Sequence, residues 1–494
     1  MSKRIMFKNS IYAFLMQAVA LVFALFTSPY VSRVLGADGL GRVNFSAAVA
    51  GWFSIFAMFG TSIYGVRAVV KVRDDKEALS KLVSELLIIK AIATVIALVS
   101  LAAAAFSVPN FAGMWQLFLV QGLMIFINIL SVDWFFQGLE DYRFIAIRNI
   151  AFKLVALVAI FLVIRNPEDY ILYAVIALGT ISFSNILNIF YLRKKIRFGF
   201  KEINIKKHFK PLIFFLYTAL LLNIFMMLDQ TLLGFLRDEV EVALLHRARM
   251  FWTIGLVVTT SISAAILPNL CKSYEDDKKE YFSKLAFSRN LILFFAFPIS
   301  AGIFFLAPHL MLLFGNEEFM AGTTALRILA VTIPFGALGG WNYNQRVVIS
   351  GEEKKGTIIL FFTAVASLAL NIIFIPFWGL LGAVISFLIC EILSNMVWFI
   401  FSHHKDKFRI FTPYLLIYII AGFLMLGALF GVSQIFEGYT WTALIVLLIT
   451  GVVIYFVVLI ILREQNIIAG LRFLKARLKR NQMPEQRGEA NNED

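Results

Sequence analysis

Charged side chains recur in this chain inside or at the rims of long apolar runs. Besides Lys90, six are basic: Arg33, Arg42, Lys153, Arg247, Arg249 and Arg327. Three are acidic: Asp133 in FINILSVDWFF, Asp229 after LLLNIFMML, and Glu391 in FLICEIL. A Lys, Arg or Asp at the centre of a membrane helix costs about 2.5–3.5 kcal/mol on insertion scales, so each implies a partner, a water-filled cavity or a ligand. The basic set suits an anionic group, because Arg offers a fixed, always charged fork of donors. The acidic set suits another task, since a proton- or sodium-coupled carrier needs a carboxylate whose charge switches during the cycle. For Asp229, pairing with an Arg competes with a cation site. Arg33 and Arg42 beside a short turn also fit interfacial anchoring, and Lys90 in the third apolar run is hard to explain by position. Arg247 and Arg249 stand about 200° apart around a helix, so both cannot face one cavity.

Covalent chemistry finds no support. There is no nucleophile with a base and an orienting group, no Walker-type phosphate loop and no H-E-x-x-H. Cys271 and Cys390 cannot form a disulfide framework, and His208, His246, His309, His403 and His404 lack ligand spacing. No enzyme activity, metal or cofactor is therefore expected, beyond coupling to H+ or Na+. With no nucleotide-binding domain in the chain, ATP drive would need a partner.

The elements that must position these residues are membrane helices. Hydrophobic residues make up 60% of the 494 and charged residues 15%, against about 45–50% and 25% in soluble domains. The chain is expected to be an all-α polytopic membrane protein with fourteen spans, each of about 20 apolar residues. They fall at 10–33, 43–66, 82–106, 114–136, 144–164, 170–191, 211–236, 246–268, 289–313, 323–345, 357–377, 380–402, 412–433 and 441–462. The first run resembles a signal peptide, but it is long and ends in Thr27-Ser28-Pro29-Tyr30 without a small-x-small site, so it reads as a retained span.

With the N-terminus placed in the cytoplasm, inside segments hold 36 Lys and Arg and outside turns hold 6. Lys and Arg resist translocation, so this bias supports cytoplasmic termini and accounts for most of the +14 net charge without nucleic acid. The basic segment 193–210 divides an N-terminal lobe (1–192) from a C-terminal lobe (211–404). Both lobes start inside, so a repeat would be related by an axis along the membrane normal. Two further spans (405–463) and a basic tail (464–494) follow. In the tail Ile467, Leu471, Leu474 and Leu478 form a stripe among basic residues, suited either to the inner headgroup layer or to a solvated tail. Asn128, Asn223, Asn371 and Asn395 suit helix-to-helix bonds, and Pro29, Pro268, Pro298, Pro334 and Pro376 permit kinks.

SPYVSRVLGADGLGRVNF (28–45), LDQTLLGFL (228–236), SISAAILPNL (261–270), ALRILA (325–330) and NIIFIPFWGLLGAVISFLICEI (371–392) together resemble the Wzx-type O-antigen flippases. These are the polysaccharide flippases of the multidrug/oligosaccharidyl-lipid/polysaccharide superfamily. The resemblance covers nearly the whole chain. It implies two six-span lobes facing a central cationic cavity, two additional spans, and movement of a polyprenyl-diphosphate-linked oligosaccharide to the outer leaflet of the bacterial inner membrane. Polysaccharide polymerase or assembly proteins are implied partners. Arg33, Arg42 and Arg247 or Arg249, assisted by Lys153 and with Arg327 deeper in, would hold the head group. One departure is Ala243 and Leu245, where the family usually shows a Gly and Tyr pair.

A cation-coupled drug exporter would need an acidic cavity, whereas the intramembrane charges here lean basic. A peptidoglycan-precursor flippase is a closer variant. A membrane glycosyltransferase would need a catalytic outside loop, and the longest outside loops expected have about ten residues. A membrane scaffold would leave the rim arginines without a role.

Overall fold

The computed structural model describes residues 3–196, 203–406 and 413–464. Regular structure among them is helical throughout, as hydrocarbon demands of a chain whose backbone groups must bond within each segment. The helices are α1 (Lys3–Met58), α2 (Thr61–Val72), α3 (Lys76–Ser107), α4 (Trp115–Ile127), α5 (Asp133–Gly138), α6 (Tyr142–Val163), α7 (Tyr170–Lys195) and α8 (Lys206–Leu236). They continue as α9 (Glu239–Asp276), α10 (Lys278–Phe314), α11 (Thr323–Asn342), α12 (Val348–Ser350), α13 (Glu353–Trp378), α14 (Leu380–Asp406), α15 (Pro413–Ser433) and α16 (Trp441–Ile461). Rings such as Phe106 and Phe377 stand exposed on the surface, where a lipid-facing side chain needs no hydrogen-bond partner.

Among the described residues thirteen segments are long and apolar enough to cross a membrane, the first of them Leu15–Val72. That segment is broken at Gly36, whose φ of 67° and ψ of −177° belong to a region open essentially to glycine alone. Residues 3–35 and 37–58 are thus two arms of a hairpin. The first arm runs with α6: Met16 lies by Asn149, Phe23 under Lys153, and Tyr30 donates to Ile164 O at 2.6 Å. The second runs with α4: Ser46 lies by Gln121, and Ala57 and Met58 share a cavity with Asn128 and Ser131. α7 runs parallel to α4, with Met124 by Gly179 and Asn128 by Asn185, and antiparallel to α6, with Arg148 by Asn188 and Asn149 by Ser184, so the two arms are antiparallel. Counted separately, they bring the candidate spans among the described residues to the expected fourteen. The turn expected around 34–42 is therefore helical except at one residue.

The fourth span departs from expectation. Instead of one helix over 114–136, α4 stops at Ile127, a single 3-10 turn covers Asn128–Leu130, and α5 restarts at Asp133. The freed carbonyls find side chains: Leu130 O accepts from Asn188 Nδ2 at 2.8 Å and Ser131 O from Lys90 Nζ at 2.7 Å. Pro29, Pro268, Pro298, Pro334 and Pro376 all lie inside helices, so neither break falls at a proline. Arg148, one of the 36 basic residues assigned to inside segments, is instead buried in α6.

The chain forms two compact units. The first draws on Met1–Arg249, Met311–Ala325 and Leu360–Cys390. At its Gly60 end, Glu85 of α3 accepts from His208 Nε2 (2.9 Å), Lys207 Nζ (2.8 Å) and the Asn204 amide (2.8 Å), and His208 Nδ1 meets Tyr64 Oη at 2.7 Å. These groups anchor the start of α8 beside a core of Val69, Leu86, Trp134, Phe135 and Leu212. The second unit draws on Met250–Leu310, Leu326–Ile359 and Glu391–Asp494. In it α15 and α16 form a hairpin, fastened by Tyr455 Oη donating to Phe294 O and Tyr418 Oη to Glu464, each at 3.0 Å. A π-helical turn at Tyr343–Val347 is held by Gln345 Nε2 donating to Ser263 Oγ at 2.9 Å. Residues 197–202 of the basic linker and the tail stripe 467–478 lie outside the described residues.

Replacing Gly36 by Val forces a branched side chain into the glycine-only region. It is expected to cost about 1–3 kcal/mol, read as a lower thermal midpoint of the detergent-purified protein.

Candidate functional site

At the Gly36 end of the first unit, the first arm of α1 is fastened to the last residues of α10 and to Asn316 just beyond it. Ser28 Oγ and Ser32 Oγ donate to Phe314 O at 3.1 and 3.3 Å, and Asn316 Nδ2 reaches Ser32 O at 3.5 Å. The second arm begins at Ala37, whose N–H donates to the Glu318 carboxylate at 2.8 Å, placing an anion at a helix N-terminus where it is stabilising. A Cβ at Gly41 would overlap the carbonyl of Glu239. Gly36 and Gly41 of the VLGADGLG turn thus each have a steric reason.

Arg33 and Arg247 both lie at this end, Arg247 through its bond to Ser32, the residue before Arg33. Arg247, buried on α9, donates to Ser32 Oγ and lies 5.1 Å from the Phe319 ring centroid. Arg33 is exposed, reaches only Leu313 O at 3.4 Å, and makes no ion pair among the described residues. Arg42 is a rim residue, paired with Asp38 one turn back at 3.1 Å and placed 5.9 Å from the Tyr170 ring. Arg249 diverges from Arg247, as helical geometry requires. It donates to Asp229 and to Met226 O and lies over Phe387. Asp229 is therefore in an ion pair.

Deeper along the first arm, a cavity of about 270 Å³ is lined by Met16, Asp133, Asn149, Ile150, Lys153 and Thr180. Asp133 accepts two bonds from Arg148 Nη2, at 2.9 and 3.1 Å, and the same guanidinium donates to Asn149 and Asn188. Asp133 is thus committed to a fixed cation while still bordering the cavity. Lys153 has no ion pair among the described residues; its ammonium lies 5.8 Å from the Phe23 ring centroid. From Phe23 to Arg33 is about 15 Å along a helix.

In the second unit, Arg327 lies 5.7 Å from the Phe304 ring, and its buried Nε has no hydrogen-bond partner. Glu391 of α14 is 6% exposed. Its Oε1 borders Gly336, close to where a Cβ there would sit, and among the described residues no side chain donates to its carboxylate. Asn395 Nδ2 bonds Phe335 O and Glu391 O at 3.0 and 2.9 Å.

Sequence reading missed Ser32, Arg148, Asn149, Thr180, Glu318 and Phe319. Arg148 was available as a signal, being a guanidinium within the 142–163 helix. Ser32 and Glu318 carried none, because their partners stand more than 200 residues away.

Residues 6–274 match the profile of a family described as polysaccharide biosynthesis protein. Over 396 residues the chain is 25% identical to the "Putative O-antigen transporter" of Shigella dysenteriae, spanning 78% of this chain and 97% of that one. It is 22% identical over 408 residues to the capsular polysaccharide biosynthesis protein CapF of Staphylococcus aureus, spanning 80% and 99%. Among solved structures, the lipid II flippase MurJ in an inward closed conformation superposes with a TM-score of 0.75 at 16% identity, over 93% of this chain and 99% of that chain. An inward-facing multidrug resistance MATE transporter of the MOP superfamily gives 0.61 at 15% identity, over 79% and 94%. The fold is therefore of this kind.

The Asp229–Arg249 pair is testable by a double-mutant cycle. Asp229→Asn or Arg249→Met alone strands a buried charge and is expected to cost about 3–5 kcal/mol, while the double variant recovers most of that loss. Thermal midpoints of the four proteins measure the coupling.

Proposed function

The chain belongs to the polysaccharide biosynthesis protein family, and we propose that it is a flippase carrying a polyprenyl-diphosphate-linked oligosaccharide repeat unit from the cytoplasmic to the outer leaflet. The observation that carries this reading is a pair of uncommitted cations on one arm of the first unit. Arg33 at one end and Lys153 deeper in lack carboxylate partners, whereas Arg42 and Arg249 have them.

A diphosphate entering hydrocarbon about 30 Å thick needs charges already fixed in place. Arg33, with Arg247 beside it, suits the phosphate oxygens through forked, charge-assisted bonds. The cavity at Lys153 suits a sugar ring, since Asp133, Asn149 and Thr180 present the acceptors and donors that hydroxyl groups use. Arg327 of the second unit suits an anionic group in the same way. The polyprenyl tail remains in the bilayer, so only the head group is enclosed. Translocation makes and breaks no covalent bond, and none of these residues is assigned a catalytic role.

Alternating access is the proposed cycle, with both termini in the cytoplasm, as the excess of Lys and Arg in the inside segments supports. Glu391 is the proposed coupling group. Asp133 and Asp229 are held by arginines, whereas Glu391 is a buried carboxyl without a cation, which crosses apolar surroundings as the neutral acid.

Deleting the gene is expected to accumulate lipid-linked repeat units, seen by mass spectrometry, and to deplete surface polysaccharide. Complementation with Arg33→Gln or Lys153→Gln restores flux only to about one tenth or one hundredth of wild type, the loss expected for one charge-assisted bond, although each variant inserts normally. Normal flux in both variants would sink the assignment. Glu391→Gln in proteoliposomes is expected to transport at a rate that no longer responds to an imposed pH gradient; an unchanged response excludes Glu391 as the coupling group.

A further inference from the structure

Lys90 has no part in the path proposed above. It is 1% exposed in α3, and its hydrogen bond goes to Ser131 O, the carbonyl freed where the fourth span breaks. A buried ammonium bonded to a neutral carbonyl lacks most of the compensation that its charge requires. Asp133, two residues beyond Ser131, is occupied by Arg148.

Lys90 borders a cavity of about 200 Å³ with Ser54, Thr94, Asn128, Ser131 and Asn185. The amide and carbonyl oxygens of this lining that face the break already accept hydrogen bonds. Asn128 Oδ1 accepts from Asn185 Nδ2 at 3.1 Å, Asn185 Oδ1 from Asn188 Nδ2 at 3.3 Å, and Ser131 O from Lys90. The donors are unused: among the described residues the hydroxyls of Ser54, Thr94 and Ser131 and the amide of Asn128 give no hydrogen bond. Thr94 Oγ1, one turn from Lys90 on the same face of α3, is buried without a partner. The lining holds one cation and no carboxylate.

One buried positive charge without a carboxylate, three hydroxyls and an amide free to donate, and amide and carbonyl oxygens already bonded suit a ligand that accepts hydrogen bonds and carries one negative charge. We infer that this cavity binds a small monovalent inorganic anion, of the size of chloride or bromide, between Lys90, Thr94 and the hydroxyls at the break. One lysine does not balance a phosphate dianion, and the volume admits a halide with part of its hydration. Bound there, the anion ties α3 to the interrupted fourth span.

The test needs no transport substrate. Full-length protein in detergent is melted in sodium gluconate progressively replaced by sodium bromide at constant ionic strength. Wild type is expected to show a saturable rise in midpoint of about 2 °C or more, Lys90→Met no rise, and Thr94→Val a rise needing several-fold more bromide. A second readout, independent of the variants' folding, is anomalous scattering from wild-type crystals soaked in bromide, expected to give a peak in contact with Lys90 Nζ. No response in wild type, an equal rise in Lys90→Met, or bromide crystals without that peak would overturn the proposal and leave Lys90 to water or a neutral amine.

Discussion

Hydrocarbon supplies no hydrogen bonds, so each backbone group and each charge in this chain must be satisfied by the chain or by what it carries. Helices meet the backbone half of that demand. Where a helix stops within a span or turns between two spans, the exposed groups are taken up by particular side chains. Asn188 and Lys90 cap the carbonyls of Leu130 and Ser131, and Glu318 takes the Ala37 amide beyond Gly36. Glu241 takes the Leu380 amide at 2.5 Å, beyond the turn at Gly379. The breaks lie where such partners exist and not where prolines lie, because a proline removes one donor while its helix can continue around it.

The same demand sorts the charges. Asp133 with Arg148, Asp229 with Arg249, and Glu85 with His208 and Lys207 are matched internally and tie one helix to another. Arg33, Lys153 and Arg327 have no acidic partner among the described residues, and Glu391 has no basic one. A charge left unmatched in an apolar setting is costly to keep, so the unmatched set is where a ligand or a transferable proton enters the physical argument.

The contacts at the Gly36 end have a distinct character. Ser28, Ser32 and Arg33 reach backbone carbonyls of residues 313 and 314, bonds worth about 0.5–1.5 kcal/mol net each. An assembly of modest, separable bonds suits a region that opens and recloses in the proposed cycle. The Glu85 cluster, with a buried carboxylate holding three donors at once, suits a fixed joint.

Sequence by itself determined the class of molecule: fourteen apolar runs can bury their backbone groups only as membrane helices, and their number and limits follow from hydrocarbon thickness. It also marked which residues are out of place, because a charge in an apolar run is conspicuous wherever its partner lies. It could not say which charges are matched. Asp229 and Arg249 stand 20 residues apart and Arg247 and Ser32 stand 215 apart, and helical periodicity reports the face of one helix, not the neighbour opposite it. Nor could it locate the breaks. Asn128–Val132 reads as more apolar span, and it is interrupted only because side chains from α3 and α7 arrive to satisfy its carbonyls, a condition that exists only once the helices have packed.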